Sequence, residues 1–377
     1  MINIRQITTR AELRQFVEFS IRLYKGNDCY VPPIIDSEID SLDSAVNPAF
    51  EFCESVYFMA YRDGKAVGRI AGIINHRLNE QDGVRQCRFG WVDFIDDFEV
   101  SRALLDAVAA WGIEKGMEHL AGPLGFTDLD YEGCLIEGHD RLATSATIYN
   151  YPYYRDHFEQ YGMAKDVVWQ EFLMQIPDAI PEKHLRVAEM VKRRYGLKVI
   201  KPTNRRRLVK QYGKPIFELL NECYAPLYGF CPLTEKQIDY YISLYLPFIR
   251  LDCVRLIVDR DDNLICFGIT CPSLAHAQQK AQGHLFPFGW WHMLKAMYMH
   301  GTDIWDLYLV GVRPDYQGKG VNALLFTELI PQAIANGYRC AESNPELETN
   351  SKVQDQWAYF DPVCHKRRCT FAKSLLE

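Results

Sequence analysis

The sequence predicts an α/β (α+β) protein in which one layout is used twice, each copy a mixed, largely antiparallel sheet flanked by helices. Three observations carry that expectation. Two apolar hairpins, "VYFMAYRDGKAVGRIAGII" and "CVRLIVDRDDNLICFGITCP", turn at Asp63-Gly64 and at Asp261-Asp262-Asn263. In each half a strand–helix–strand step follows, which puts a parallel pair into an otherwise antiparallel sheet. The order of elements then repeats, although the two halves share little sequence. The expected boundaries are 1–175 for the first copy, 176–209 for a linker and connecting helix, and 210–377 for the second copy.

Element by element, "AELRQFVEFSIRLY" spaces Leu13, Phe16, Val17, Ile21 and Leu23 as one helical face. The first hairpin and the strand "RFGWVDFI" follow. "EVSRALLDAVAAWGIEKG" places Val100, Ala103, Leu104, Ala107, Val108 and Trp111 on a face and stops at Gly116. "MEHLAGPLGF" reads as a strand, "PYYRDHFEQYGM" as a short helix and "VVWQEFLMQI" as a closing strand. Proline marks the linker, and the amphipathic "PEKHLRVAEMVKRRYG" forms the connecting helix. In the second copy "YGKPIFELLNECYAPLYG" and "PFGWWHMLKAMYMHG" are expected helices, and "DIWDLYLVGV" a strand. "NALLFTELIPQAIANG" is a helix that Pro331 should kink or divide. "YRCAES", a helical "NSKVQDQWAYF" and the strand "RRCTFAKSL" complete it.

Composition bounds the function. With 48% apolar and 24% charged residues, the chain reads as a soluble globular protein. A formal net charge of −7 argues against a general nucleic-acid binder, despite basic clusters at Arg205-Arg206-Arg207 and His365-Lys366-Arg367-Arg368. The 12 cysteines are scattered without C-x-x-C spacing, so they are expected to be reduced and structural, with no metal site. No secretory leader and no apolar run near the ~20 residues of a membrane span are found. The expectation is a cytoplasmic protein with no membrane partner.

The segment "VRPDYQGKGVNALL" carries the chemistry. Pro314 stops a strand, Gly318 and Gly320 flank Lys319, and a helix begins at once. A helix N-terminus leaves amide N–H groups unpaired and carries a partial positive charge, so a permissive loop there makes an anion site. The spacing matches neither G-x-x-x-x-G-K-[ST] nor G-x-G-x-x-G, since Ala323 stands where the last glycine would be. On the residues alone, a phosphate cradle and a glycine-assisted corner are both open.

The segment resembles the acyl-CoA loop of the GNAT superfamily of N-acetyltransferases, V-x-P-x-x-[QR]-G-x-G-x-[GA] at a strand-to-helix junction. The resemblance implies acetyl-CoA or another acyl-CoA as the donor. It also implies that Gln317, Gly318, Lys319, Gly320 and Val321 hold a pyrophosphate, and that Val310 and Val312 pair with pantetheine. Asn322 departs from the family's Gly or Ala; it suits a helix start but is bulkier beside a phosphate. The first copy resembles the fold too, but Asp96, Asp97 and Glu99 occupy the place of its loop and would repel a phosphate. It is therefore read as a degenerate copy.

The family's direct transfer to an amine needs a base and an acid. By period-2 alternation Asp306, Tyr308 and Val310 share a strand face, which makes Asp306 a candidate base. Glu342, ending "CAES", is a second candidate, and each is equally readable as a structural carboxylate. Tyr359 in "QWAYFD" is the candidate acid or a core aromatic. Asn350 is the family's pantetheine-side Asn or a simple cap. His284 reads as a packed histidine, and "FPFGWW" with Tyr224, Tyr228 and Phe230 as an acceptor or acyl pocket or as core. "CHKRRC" either reaches the 3′-phosphate of CoA or another anion, or is the exposed face of a closing strand. The implied function is an N-acyltransferase acting on a small-molecule or peptide amine. The alternatives are a non-catalytic acyl-CoA-binding scaffold and, with weaker support, an aminoacyl-tRNA-dependent transferase. Acceptor identity and oligomeric state are left open.

Overall fold

The computed structural model describes residues 1–376 apart from 247, 351–352 and 355–359. In chain order the first stretch gives β1 (Ile2–Ile7), α1 (Arg10–Leu23), α2 (Ile35–Leu42), β2 (Cys53–Arg62), β3 (Lys65–Asn75), α3 (His76–Asp82), β4 (Gln86–Phe94) and α4 (Phe98–Glu114). Then come β5 (His119–Gly122), β6 (Cys134–Glu137), α5 (Tyr153–Gln160) and β7 (Ala164–Gln175). The rest gives α6 (Glu182–Tyr195), β8 (Lys198–Ile200), α7 (Arg205–Tyr224), α8 (Glu235–Tyr245), β9 (Val254–Val258), β10 (Leu264–Pro272), α9 (Ala275–Ala281) and α10 (Gly289–Tyr298). It closes with β11 (Ile304–Val312), α11 (Val321–Ala335), β12 (Cys340–Ser343), β13 (Glu346–Leu347) and β14 (Val363–Ser374).

The chain forms two compact units, and neither is a contiguous half. The first takes Met1–Gln170, Ala275–Met293 and His365–Glu377; the second takes Glu171–Leu274 and Leu294–Cys364. The segment read as linker and connecting helix therefore lies in the second unit, and the closing strand from His365 lies in the first.

In the first unit β1 to β4 pair antiparallel in sequence, β5 pairs parallel with β4, and β14 pairs antiparallel with β5. Alternation along β2 sends Phe58 and Ala60 to one core and Tyr57 and Met59 to the other. The first core lies under α4, whose buried side is Val100, Ser101, Leu104, Leu105, Val108, Ala109 and Gly112. That side is turned from the expected one, because Gly112 closes onto Cys87, where an added Cβ would sit 3.0 Å from the Cys87 Cβ. The second core lies under α1 and α2. Here Thr9 and Glu12 form a reciprocal capping box that starts α1.

In the second unit the tail of β7 pairs antiparallel with β12, β12 parallel with β11, and β11, β10, β9 and β8 antiparallel in turn. Two glycines locate the layers. A Cβ on Gly268 would meet Leu325 of α11 at 3.0 Å, whereas one on Gly311 would meet Cys223 of α7 at 3.3 Å. So α11, with α6 packed beside it, covers one face and α7 the other. Pro331 does not divide α11, which runs on to Ala335. The missing N–H removes one bond to the carbonyl four residues back, and the buried Leu329, Ile330 and Ala333 hold the turns together across it.

Candidate functional site

The site is built on β11 and the turn that follows it. Ile269 opposes Leu309, but Thr270 opposes Leu307, so Tyr308 is an extra residue on β11. Such a bulge bends the strand and reverses the facing of all that follows. Trp305 and Leu307 before it, and Val310 and Val312 after it, all join the core beneath α11. Asp306 consequently faces the other way. The expectation that Asp306 and Val310 share a face is thus corrected: the inserted Tyr308 shifts the alternation by one.

β12 pairs with β11 only from Ile304–Cys340 to Leu307–Ser343, while β11 continues to Val312. Past the bulge, Leu309 and Val310 are half-buried, with no β12 partner in that register. Asn344, just beyond β12, donates its Nδ2 to the Tyr308 carbonyl at 2.8 Å. The two strands therefore part at the bulge, and the opening faces backbone.

Two acidic side chains stand together before that opening. Asp306 and Glu342 are register partners on the parallel strands, 2% and 6% exposed. Cys271 of β10 opposes Asp306 on its other side. Burial, and then the nearby Asp306 carboxylate, push the Cys271 thiol well above its ordinary value.

The turn after β11 is a short 3₁₀ segment, Pro314–Tyr316, leading to Gln317, Gly318, Lys319 and Gly320. Gly318 and Gly320 adopt φ of 71° and 80°, which glycine alone takes without strain. A Cβ on Gly318 would meet nothing within 4 Å, whereas one on Gly320 would press on Val191 of α6 at 3.1 Å. Gln317 donates its Nε2 to the Val312 carbonyl at 3.1 Å and ties the turn back to the strand. Lys319 is exposed, its Nζ 5.1 Å from the Tyr316 ring centre and 5.5 Å from that of Tyr195. No side chain caps the helix that starts at Val321. Asn322 lies in its first turn, half-buried, and the position flanking the helix belongs to Gly320.

The first unit repeats this frame with the openings filled. Across β3 and β4, Arg69 opposes Asp93 but Ala71 opposes Gly90, an irregularity centred on Trp91 with φ 43°. Beside it, Asp93 pairs with Arg69 at 2.7 Å and accepts from the Tyr24 and Tyr154 hydroxyls at 2.8 and 3.2 Å. Phe94 donates its backbone N–H to Tyr154. The cavity that remains there is about 40 Å³, room for a few water molecules. The N-terminus of α4 is closed as well: Asp97 accepts from the Glu99 N–H at 3.0 Å and pairs with Arg62 at 2.7 Å.

No family model matches the chain. It is 27% identical over 377 residues to the protein YghO of Escherichia coli, across 99% of this chain and 95% of that protein. It is 25% identical over 357 residues to a bacterial ceramide synthase of Caulobacter vibrioides, across 93% and 92%. A solved tandem GNAT protein from the clavulanic acid biosynthesis pathway matches 100% of this chain and 99% of its own, with a TM-score of 0.57 at 10% identity. The chain has a tandem GNAT fold.

Within the GNAT frame of the second unit, the structure brings together Asp306 and Glu342 on one side of the strand pair. It gathers Val310, Val312, Gln317, Gly318, Lys319, Gly320, Val321 and Asn322 at and after the end of β11. Asn350 opens a turn, its carbonyl accepting from the Val353 and Gln354 N–H groups at 3.2 and 3.3 Å. Tyr359 lies outside the described residues. "CHKRRC" lies on the closing strand but is not its exposed face, which corrects that expectation: Lys366 and Arg368 are 1% and 0% exposed, Arg367 pairs with Glu137, and Arg368 donates to the Ile148 carbonyl. His284 is exposed in the turn that leads to α10, correcting the expectation of a packed histidine. Sequence reasoning missed Val187, Val191 and Tyr195 of α6, which back the loop; their amphipathic spacing showed a helix but not what it covers.

Proposed function

We propose that the chain is an acyl-CoA-dependent N-acyltransferase whose second unit holds the donor. The single observation that carries this reading is the contrast between two helix starts. That of α4 is filled by the carboxylate of Asp97, whereas that of α11 has no side-chain cap and follows an open Gly318-Lys319-Gly320 turn. An uncapped helix start with a neighbouring cation suits a pyrophosphate. The amides of Gly318, Gly320, Val321 and Asn322 bind it, while those of Gln317 and Lys319 hold the turn by bonding the Pro314 and Tyr316 carbonyls. Lys319 adds charge, and backbone groups of Val310 and Val312 pair with the pantetheine arm. Asn350 borders that arm.

The carboxylate pair Asp306 and Glu342 takes the proton of the incoming ammonium. The freed amine nitrogen then bonds to the thioester carbonyl carbon and sheds its second proton to water. The C–S bond breaks as the sulfur takes a proton, a donor role assigned to Tyr359, and leaves as the thiol; Tyr359 regains its proton from water. The relative named a ceramide synthase narrows the acceptor. A ceramide is the amide of a fatty acid with a long-chain amino alcohol, so the favoured pair here is a long-chain acyl-CoA and a long-chain amino alcohol.

Calorimetric titration with CoA and palmitoyl-CoA, beside Gly320→Glu, tests the donor site. Thiol release with sphinganine present tests the transfer. Binding lost in the variant, and thiol release that depends on the amine, are expected. A folded chain that binds neither thioester nor CoA overturns the reading.

A further inference from the structure

The turn and helix from residue 284 to 299 present an aromatic surface that no core absorbs. Phe286 and Phe288 are 79% and 72% exposed, and Trp290, Trp291 and Tyr298 are also exposed. A monomeric soluble surface rarely clusters so many large rings, so they mark a contact site. The rings are held outward by a built turn. The backbone N–H of Trp290 donates to the Leu285 carbonyl at 2.8 Å, that of Trp291 to Phe288 at 3.1 Å, and the Trp290 indole N–H to the Pro287 carbonyl at 2.9 Å. A Cβ on Gly289 would sit 1.8 Å from the His284 carbonyl oxygen, so the turn closes only around glycine.

Charge identifies what covers this surface. The chain carries 49 acidic residues, yet none occurs from Asn263 to Thr302. That stretch holds Lys280 and Lys295, both exposed, and four of the ten histidines, His276, His284, His292 and His300. An acid-free, weakly cationic segment on a chain of net charge −7 is complementary to a negative surface. Exposed Trp, Tyr and Phe beside Lys are the composition that settles at the headgroup level of a bilayer.

We infer that residues 284–299 dock the chain on an anionic lipid surface, the Phe286–Trp291 turn entering the headgroup boundary and Lys295 meeting lipid phosphates. This is peripheral attachment, since no described helix is long and apolar enough to cross a membrane. The inference does not depend on the acyl-CoA site.

The full chain, without any acyl donor, is sedimented with vesicles of phosphatidylcholine and with vesicles of equal phosphatidylcholine and phosphatidylglycerol, at low and raised salt. Binding to the anionic vesicles alone, weakened by salt, is expected. Phe286→Ser with Trp290→Ser should lower it about tenfold, as should Lys280→Glu with Lys295→Glu. Thermal melting and CoA titration of each variant establish folding independently. Absence of vesicle binding by the wild type overturns the inference, as does binding indifferent to both pairs of substitutions. A self-associated chain that the aromatic variant returns to monomer, without vesicle binding, assigns the surface to a second copy instead.

Discussion

Asp306 and Glu342 lie side by side on parallel strands, in register and buried, immediately before β11 and β12 part. In the proposed mechanism they act as one proton-accepting unit. Asp306→Asn and Glu342→Gln should each lower kcat by about 100-fold or more while leaving CoA affinity unchanged. Because the pair acts jointly, the double variant should cost no more than the worse single one. Steady-state kinetics with calorimetry checks this; additive losses, or weakened CoA binding, would count against it.

Gly320 begins α11 with φ 80° and Val191 3.1 Å from where a Cβ would be. Gly320→Ala is both strained and crowded, so it should weaken CoA about tenfold by displacing the first amides of the helix. Lys319→Ala, at an exposed side chain, should cost only about threefold, and less as salt rises. Titrations at two ionic strengths separate the two effects.

Asp97 closes the start of α4. Asp97→Ala should lower stability by about 1 kcal/mol, with CoA binding untouched. The bond from Arg62, and then that from the Glu99 N–H, hold the Asp97 carboxyl below its ordinary value. The stabilisation is therefore present above about pH 4 and lost as pH falls through the lowered value. Asp97→Asn keeps a cap and should flatten that acid limb in thermal melts.

The half-buried loop after β5 titrates in the opposite sense. Burial pushes Asp128 and Asp130 up to about 6, and Glu132 beside Asp128 is raised as well. A raised carboxyl stabilises while protonated and loses that contribution as pH rises through the folded value. The melting temperature should therefore fall as pH rises from about 4, the ordinary carboxylate value, to the raised value of about 6 and level off above it, and Asp130→Asn should reduce the fall. A flat profile in the wild type would remove burial of these groups as its cause.

Local signals were legible wherever the physics is local. Both hairpins, the face of α1 and the glycine turn at 318–320 follow from spacing and turn chemistry, and the structure has them within a few residues. The pairing of Asp306 with Glu342 was half visible: each could be placed on its strand, but their register depends on a parallel alignment that neither strand encodes alone. The bulge at Tyr308 carries no glycine or proline, so alternation put Asp306 on the wrong face. Nor does any local pattern say that residues 275–293 and the closing strand join the first unit, because that assignment rests on contacts between remote segments. The helix α2 was missed since "IDSEID" is short and polar, its burial being supplied by Ile35, Ile39 and Leu42.

The carboxylate of Asp97 has a stoichiometric consequence. A chain that carries the frame twice invites the expectation of two thioesters per molecule and of communication between them. Under the proposed donor site, with one helix start already neutralised by its own side chain, saturation should fall at a single equivalent and the isotherm should show no cooperativity. The duplicated frame is then free to diverge without ever competing for donor.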